Sequence, residues 1–338
     1  MQNFRFIGTL AALVVLQLLV TGCKKEERFT ASGTVETEPS TRPAMASTSQ
    51  LVVGFSQIGA ESGWRTAETT SIRSEAEKRG VNLKFSDAQQ KQENQIKAIR
   101  TYIAQNVNAI ILAPVVETGW EPVLKEAKRA NIPVILVDRG VNVSDDSLYT
   151  TLIASDFVAE GRMAGEWLAE KTKRRANIVE LQGTPGAAPA IDRQKGFMEV
   201  LSHHPEMKVI KSQSGDFTRA KGKEVMEAFL KAEGKNINAV YAHNDDMALG
   251  AIQAIEEAGM KPGTDIIVIS IDGVKAAFEA MVEGKLNATV ECNPLLGPAA
   301  FDAIEKVRKG ETLPKKTVVQ DKLFDQSVAK DVISDRKY

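Results

Sequence analysis

Short apolar runs alternate with longer segments of helical periodicity from Leu51 almost to the end of the chain. The first run, Leu51–Phe55, is rich in β-branched and aromatic residues. Because it is too short for a helix and is followed by glycines, it predicts a buried parallel strand. Similar runs predict ten strands in all, at 51–55, 81–85, 109–113, 133–137, 149–153, 177–181, 208–211, 239–242, 266–271 and 288–290.

Helical periodicity fills most of the intervals between these runs. It begins after Arg65 and recurs at 89–105, 117–130, 157–171, 191–201, 220–232, 245–258, 275–283 and 298–309. Alternation of this kind is typical of parallel sheets that are covered by helices on both faces. Ten strands are too many for one open sheet. The pattern therefore predicts an α/β fold with two doubly wound parallel-sheet lobes, dividing near Ala154.

The first 50 residues lack this alternation. Residues 1–23 combine a positive Arg5, an apolar stretch and the sequence Val-Thr-Gly-Cys, which resembles a bacterial lipobox. We predict a lipoprotein signal peptide that ends at a lipidated Cys23; the alternative is an ordinary signal peptide with an incidental cysteine. Residues 24–50 are dominated by Ser, Thr, Pro and Glu, which predicts a flexible linker. The expected location is the cell envelope or periplasm, with the membrane contacted only through the lipid.

Composition excludes some classes of partner. The net charge of -1 gives no reason to expect nucleic acid as a partner. Two cysteines and three histidines at these spacings cannot form a metal-ligand cluster, so we expect no metal ion and no cofactor.

Polar clusters follow five of the predicted strands or their turns. They are the loop from Gln57 to Arg65, the pair Asp138-Arg139, the pair Asp192-Arg193, the run from His243 to Asp246, and Asp272-Gly273. In open α/β sheets, ligands bind beyond the carboxyl ends of the strands. Any one of these clusters alone is most simply solvated surface, but five of them together predict a binding site.

The chemistry of these clusters suits a neutral, hydroxyl-rich small molecule. Carboxylates accept hydrogen bonds from hydroxyl groups, guanidinium groups donate several, and an asparagine amide does both. Trp64 offers an apolar face on which a sugar ring could stack; Phe217 offers another, or belongs to the core. The predicted contacts are Gln57, Glu61, Trp64, Arg65, Asp138, Arg139, Arg193, Phe217, Asn244 and Asp272.

Motifs of common enzyme classes are absent from the sequence. It contains no phosphate-binding P-loop, no G-x-G-x-x-G, no H-E-x-x-H and no G-x-S-x-G. Asp138 with Asp272 could serve as a glycosidase pair. However, a neighbouring arginine or amide is expected to keep each carboxylate ionised, whereas a general acid needs a raised pKa. We predict that the protein is not an enzyme.

Several long segments resemble the periplasmic binding proteins of bacterial ABC transporters, in particular the galactofuranose-binding members. They include GFSQIGAESGWR, APVVETGWEPVLKEA, SQSGDFTRAKGKEVMEAF and VYAHNDDMALGAIQAI. The resemblance runs from about Leu51 to the region of Pro298. These segments contain the polar clusters that the strand pattern selects.

The resemblance implies the type I fold of these proteins, in which three crossover strands join two lobes. It assigns 51–153 with 292–322 to the N-terminal lobe and 154–291 with 323–338 to the C-terminal lobe. It implies a monomer that binds a monosaccharide, expected to be galactofuranose, in the cleft between the lobes and delivers it to an ABC permease. The alternative is a sugar sensor that docks on a membrane chemoreceptor or histidine kinase.

Overall fold

The computed structural model of the protein describes residues 50–338. The predicted signal peptide, Cys23 and the predicted linker except Gln50 lie outside the described residues. Within 50–338, no helix combines the length and the apolar composition needed to cross a membrane.

The described chain alternates between strands and helices. Its strands are β1 Val52–Gln57, β2 Asn82–Asp87, β3 Ala109–Leu112, β4 Val134–Val137, β5 Thr151–Ser155, β6 Ala176–Gln182, β7 Met207–Ser214, β8 Ala239–Ala242, β9 Ile267–Asp272, β10 Ala288–Glu291, β11 Lys316–Val319 and β12 Leu323–Asp325. Its helices are α1 Gly63–Lys78, α2 Gln92–Ala104, α3 Glu121–Arg129, α4 Phe157–Lys171, α5 Ala188–Leu201, α6 Arg219–Glu233, α7 Asp245–Glu257, α8 Lys275–Val282, α9 Gly297–Arg308 and α10 Gln326–Val332.

The strands of residues 50–338 form two six-stranded sheets. The first has the order β11-β5-β4-β3-β1-β2 and the second the order β12-β10-β9-β8-β6-β7. Neighbouring strands are parallel except for β12, which pairs antiparallel with β10. We call the first sheet with its helices the first lobe, and the second sheet with its helices the second lobe. The predicted α/β fold with two parallel-sheet lobes is confirmed.

The chain passes between the sheets three times, after β5, after β10 and after β11. The central strands β3 and β4 are buried at every position, because helices cover both faces of the sheet. Helix α9 returns to the first lobe and packs on α1 so closely that a Cβ on Gly297 would lie 2.3 Å from the carbonyl oxygen of Ser71.

The sequence pattern missed three elements of the described fold and misplaced the start of two others. Strands β11 and β12 were not predicted, since β11 is mostly exposed and β12 has only three residues, and the short helix α10 was not predicted either. Two helices begin later than predicted: α2 starts at Gln92, after Gln89 and Gln90 with positive φ, and α3 starts at Glu121.

Candidate functional site

The carboxyl ends of strands from both sheets surround a small cavity of about 20 Å³. Ligand pockets of proteins usually have volumes of about 300–1,000 Å³, so the lining side chains nearly fill this space and a small molecule enters it only when they or the lobes move apart. Nine of the ten predicted contacts line it. The lining consists of Glu61, Ser62, Trp64, Arg65, Asp138 and Arg139 from the first lobe, Pro189, Arg193, Phe217, Asn244 and Asp272 from the second, and Cys292 from the crossover after β10.

Helix α1 brings Arg65 to the wall of the cavity that the first lobe provides. Ser62 accepts a hydrogen bond from the Arg65 backbone N–H at 3.1 Å and so caps the helix. The Arg65 guanidinium donates to Asp138 Oδ2 at 2.6 Å and to Glu61 Oε1 at 3.1 Å, and it also pairs with Glu68. Burial alone would lower the pKa of Arg65, but the surrounding carboxylates, led by Asp138, raise it well above its ordinary value.

The pair Asp138-Arg139 follows β4, as the sequence predicts. Asp138 has a positive φ of 62°, which turns the chain sharply at the end of the strand. Arg139 donates to the carbonyl oxygen of Val115 at 2.9 Å, and its guanidinium lies 5.1 Å from the ring centroid of Phe217 in the second lobe. Burial, assisted by the charge of Arg65, lowers the pKa of Arg139 to about 10.

Arg193, on α5, is the central cation of the second lobe. It donates to Glu160 Oε2 and to the backbone oxygen of His243, at 2.7 and 2.6 Å, and its Nη2 lies 3.7 Å from Asp272 Oδ1. Burial alone would lower the pKa of Arg193, but Glu160 raises it above its ordinary range. Burial raises the pKa of Asp272 well above its usual value, and the neighbouring charge of Arg193 opposes this shift.

Asn244 and Phe217 are coupled in the second lobe. Asn244 caps α7 by accepting from the backbone N–H of Met247 at 3.0 Å, and its Nδ2 donates to the carbonyl oxygen of Phe217 at 3.1 Å. A Cβ on Gly183 would lie 1.8 Å from the Phe217 ring, so only glycine fits there. The ring therefore packs into the lobe and lines the cavity at the same time.

Trp64 of α1 joins the two lobes. It is buried among the apolar side chains of the second lobe, and its indole Nε1 donates to the backbone oxygen of Cys292 at 2.6 Å. The Cys292 thiol is itself buried, and burial raises its pKa well above the ordinary value. The crossover after β10 is therefore in contact with the site.

Gln57 is the one predicted contact that does not line the cavity. Its Nε2 donates to Glu68 Oε2 and to Thr69 Oγ1, both at 3.0 Å, and its Oε1 accepts from the backbone N–H of Ile58. The side chain thus turns away from the cavity, toward the carboxylate that pairs with Arg65.

Sequence reasoning missed five residues in or behind the lining: Ser62, Glu68, Glu160, Pro189 and Cys292. Glu68 could have been found, because it stands three residues after Arg65 on one helix face. Glu160 had no signal in the sequence, since it reaches Arg193 only through the packing of α4 on α5.

The formal charges around the cavity balance. The lining holds the carboxyl groups of Glu61, Asp138 and Asp272 and the guanidinium groups of Arg65, Arg139 and Arg193. Two buried atoms in it, Glu61 Oε2 and Arg139 Nε, have no hydrogen-bond partner in the described protein. A buried polar atom without a partner costs about 1–3 kcal/mol. The arrangement therefore favours a neutral ligand that both donates and accepts hydrogen bonds.

A metal ion does not fit this chemistry. Among residues 50–338 no three histidine, cysteine, aspartate or glutamate side chains are grouped so that they could hold one. The carboxylates of the cavity instead pair with guanidinium groups.

Comparisons with known proteins agree with this geometry. A family model described as a periplasmic binding protein domain matches residues 53–312. The chain is 57% identical over 298 residues to the galactofuranose-binding protein YtfQ of Escherichia coli, which covers 87% of this chain and 94% of that protein.

Two solved structures are similar at the same level. One is the periplasmic binding protein of the arabinose ABC transporter from Shewanella sp. ANA-3, bound to α- and β-L-arabinofuranose. It has 58% identity and a TM-score of 0.83 over 85% of this chain and 95% of that one. The other is a galactofuranose-binding protein with 58% identity and a TM-score of 0.83, over 85% of this chain and 98% of that one.

Proposed function

This chain belongs to the periplasmic binding protein family, and we propose on that premise that it captures a furanose sugar between its two lobes and delivers it to an ABC permease. The observation that carries the proposal is the charge-balanced cavity, whose lining comes from both lobes. Galactofuranose is the expected sugar, because the relatives with 57–58% identity are named for galactofuranose or were solved with a furanose.

The polar lining supports a sugar with several hydroxyl groups. Asp138 and Asp272 accept from neighbouring hydroxyls, and Arg193 and Asn244 donate from the second lobe. Glu61 Oε2 and Arg139 Nε, which lack partners in the protein, add one acceptor and one donor. Each matched hydroxyl distinguishes the sugar from its epimer by about 1–3 kcal/mol, because the wrong epimer leaves a buried group unpaired.

The apolar part of the site has two components. Trp64 and Phe217 line the cavity from the first and second lobes. A sugar ring presents C–H groups on its faces, and aromatic rings bury such faces favourably. We assign these two side chains to the ring of the sugar and the charged groups to its hydroxyls.

The lobe boundaries and the anchor belong to the same proposal. We assign 51–153 with 292–322 to the N-terminal lobe and 154–291 with 323–338 to the C-terminal lobe; the division of the strands into two sheets supports this assignment. Export to the periplasm fits the family, and the lipobox ending at Cys23 adds a lipid anchor. The protein acts as a monomeric carrier without catalysis, and the permease is its partner.

Calorimetric titration with ring-locked sugars tests the proposal. Methyl galactofuranoside and methyl galactopyranoside have the same composition and the same number of hydroxyl groups, but they cannot exchange ring size. L-Arabinose, which reaches a furanose form in solution, and D-galacturonate, which adds a charge, complete the panel. We expect binding of the furanoside and of L-arabinose, and at least tenfold weaker binding of the pyranoside and the uronate. Preference for the pyranoside would overturn the furanose assignment. Absence of binding to every sugar in the panel would overturn the sugar assignment.

A further inference from the structure

Asp246 connects the two lobes outside the cavity. It is the second residue of α7 in the second lobe, and its side chain is largely buried. Its Oδ2 accepts a hydrogen bond of 2.8 Å from the backbone N–H of Gly63, the first residue of α1 in the first lobe. Gly63 stands between Ser62 and Trp64, which line the cavity, whereas Asp246 does not line it.

Arg219 of the second lobe fixes the position of the Asp246 carboxylate. Asp246 Oδ1 accepts from Nε and Nη2 of Arg219, at 3.1 and 3.0 Å. Arg219 begins α6, which packs beside α7 in the same lobe. One oxygen is thus fixed within the second lobe, while the other faces the opposite lobe.

The first lobe leaves a place for a negative charge at the start of α1. The first turn of this helix contains no acidic residue of its own. A helix N-terminus carries unpaired N–H groups and a partial positive charge, which a carboxylate stabilises. Ser62 satisfies the backbone N–H of Arg65, and Asp246 satisfies that of Gly63 from across the cleft.

We propose that Asp246 is a closure latch, which stabilises the closed arrangement of the lobes and slows sugar release without touching the sugar. The proposal rests on the proposed function. Other contacts also cross the cleft: the Glu117 N–H donates to the Gly186 carbonyl at 2.9 Å, and Arg139 lies against Phe217. The first is between backbone groups and the second belongs to the lining. Asp246 can therefore be changed without altering the lining.

Dissociation kinetics of methyl galactofuranoside or L-arabinose test the latch. In Asp246→Ala the charged hydrogen bond is lost only from the closed state, so the dissociation rate should rise about tenfold while the association rate stays within twofold. Asp246→Asn keeps the shape and loses the charge, and it should lie between wild type and alanine. Both variants also lose or weaken the pairing with Arg219 inside the second lobe, so the melting temperature of the sugar-free protein reports that loss, whereas the dissociation rate reports the latch.

A matched pair at Gly63 tests the same bond from the other side. Proline is tolerated at the first helical position, and Ser62 before it is extended, with φ -144° and ψ 162°, as a residue before proline should be. Gly63→Pro removes the donor and should match Asp246→Ala, with no further effect when the two are combined. Gly63→Ala keeps the donor, and its Cβ would lie 3.6 Å from Asp246 Oδ2, an ordinary contact, so it should behave as wild type.

Asp302→Asn serves as a control for loss of an acidic group. Asp302 is exposed and pairs with Arg79 at 2.6 Å within the first lobe, so the variant should release sugar at the wild-type rate. A wild-type dissociation rate in both Asp246→Ala and Gly63→Pro would overturn the latch. A lowered sugar-free melting temperature together with unchanged kinetics would overturn it as well.

Failure of the latch can be distinguished from failure of the proposed function. If wild type binds none of the sugars, the proposed function fails. The latch is then tested by measuring the distance between the two lobes with spin labels. Spin labels are attached through Glu77→Cys on α1 and Ala228→Cys on α6, both exposed positions. In the sugar-free protein Asp246→Ala should deplete the shortest inter-label distances, and an unchanged distribution would contradict the latch.

Discussion

Two buried glutamates behind the cavity hold its central guanidinium groups in place. Glu68 pairs with Arg65 in the first lobe, and Glu160 pairs with Arg193 in the second. Both carboxyls are inaccessible to solvent, and each has one oxygen without a hydrogen-bond partner in the described protein. A guanidinium group that is already fixed loses little conformational freedom when a sugar binds, so these two pairs preorganise the binding site.

Glu68 gives a pH dependence that can be measured. Burial raises its pKa from about 4.5 to about 7, against the opposing charge of Arg65. The folded protein therefore binds more protons than the unfolded chain between these values. The stability that Glu68 contributes is complete below pH 4.5 and is lost as the pH rises through 7.

We expect the free energy of unfolding of wild type, relative to Glu68→Gln, to fall by about 3 kcal/mol between pH 4 and pH 8. Urea unfolding at intervals of one pH unit measures this difference. Glu77→Gln, at an exposed position on the same helix, provides the control for loss of a carboxylate without burial. A difference between wild type and Glu68→Gln that rises with pH would show that the sign is wrong.

Substitutions of Asp138 and Arg193 test the predicted sugar contacts of the first and second lobe separately. Asp138→Ala and Arg193→Ala each leave buried partners unmatched, at a cost of about 1–3 kcal/mol, so each should weaken sugar binding at least tenfold. Asp192→Ala is the matched control, because Asp192 precedes Arg193 and stands outside the lining. Wild-type affinity in both variants, measured by calorimetry, would remove Asp138 and Arg193 from the site.

At the residue scale, the sequence predicted the residues that line the cavity better than the residues that hold them in place. Strand ends can be read from the apolar runs, so nine of the ten predicted contacts reach the cavity. Gln57 also follows its strand, but its side chain turns toward Glu68. Which way a side chain turns, and that Glu160 supports Arg193, depend on how the elements pack, which local sequence does not encode.

At the scale of elements, the close packing of α4 on α5 places Arg193 beside Glu160. Two glycines make this possible. A Cβ on Gly161 would lie 2.2 Å from the carbonyl oxygen of Arg193, and a Cβ on Gly196 would lie 2.0 Å from that of Val158. Since the obstacles are backbone atoms, an added methyl group must push the helices apart.

Gly161→Ala should therefore lower the free energy of unfolding by about 1–3 kcal/mol and weaken sugar binding at the same time, because Arg193 moves with its helix. Denaturant unfolding and titration measure the two effects. Gly140→Ala is the control, since its Cβ would meet only Leu152 at 3.4 Å and should change stability by less than about 0.5 kcal/mol. Wild-type stability in Gly161→Ala would contradict the packing argument.

The two strands missed by the sequence depend on the rest of the fold. Strand β11 extends the first sheet beside β5, and β12 pairs antiparallel with β10 in the second. Both are short edge strands: β11 is mostly exposed and β12 has only three residues, so neither carries the apolar run of a buried strand. Long apolar runs identified the central strands because burial on both faces demands them.

At the scale of the whole molecule, three chain crossings join two lobes whose site faces are incomplete when taken separately. The first lobe supplies Asp138 and the second supplies Arg193, each with its own cation or anion behind it. Each lining set is balanced in formal charge, with Glu61 and Asp138 against Arg65 and Arg139 in the first lobe and Asp272 against Arg193 in the second, but neither set encloses the cavity alone. A neutral sugar held from both sides therefore couples recognition to closure of the lobes.

A crystal structure of the protein with methyl galactofuranoside tests this account most directly. We expect one furanose ring between the lobes, within hydrogen-bond distance of Asp138 from the first lobe and Arg193 from the second. Trp64 or Phe217 should lie against a face of the ring. A sugar bound to one lobe alone, or bound outside the cavity, would contradict the central claim.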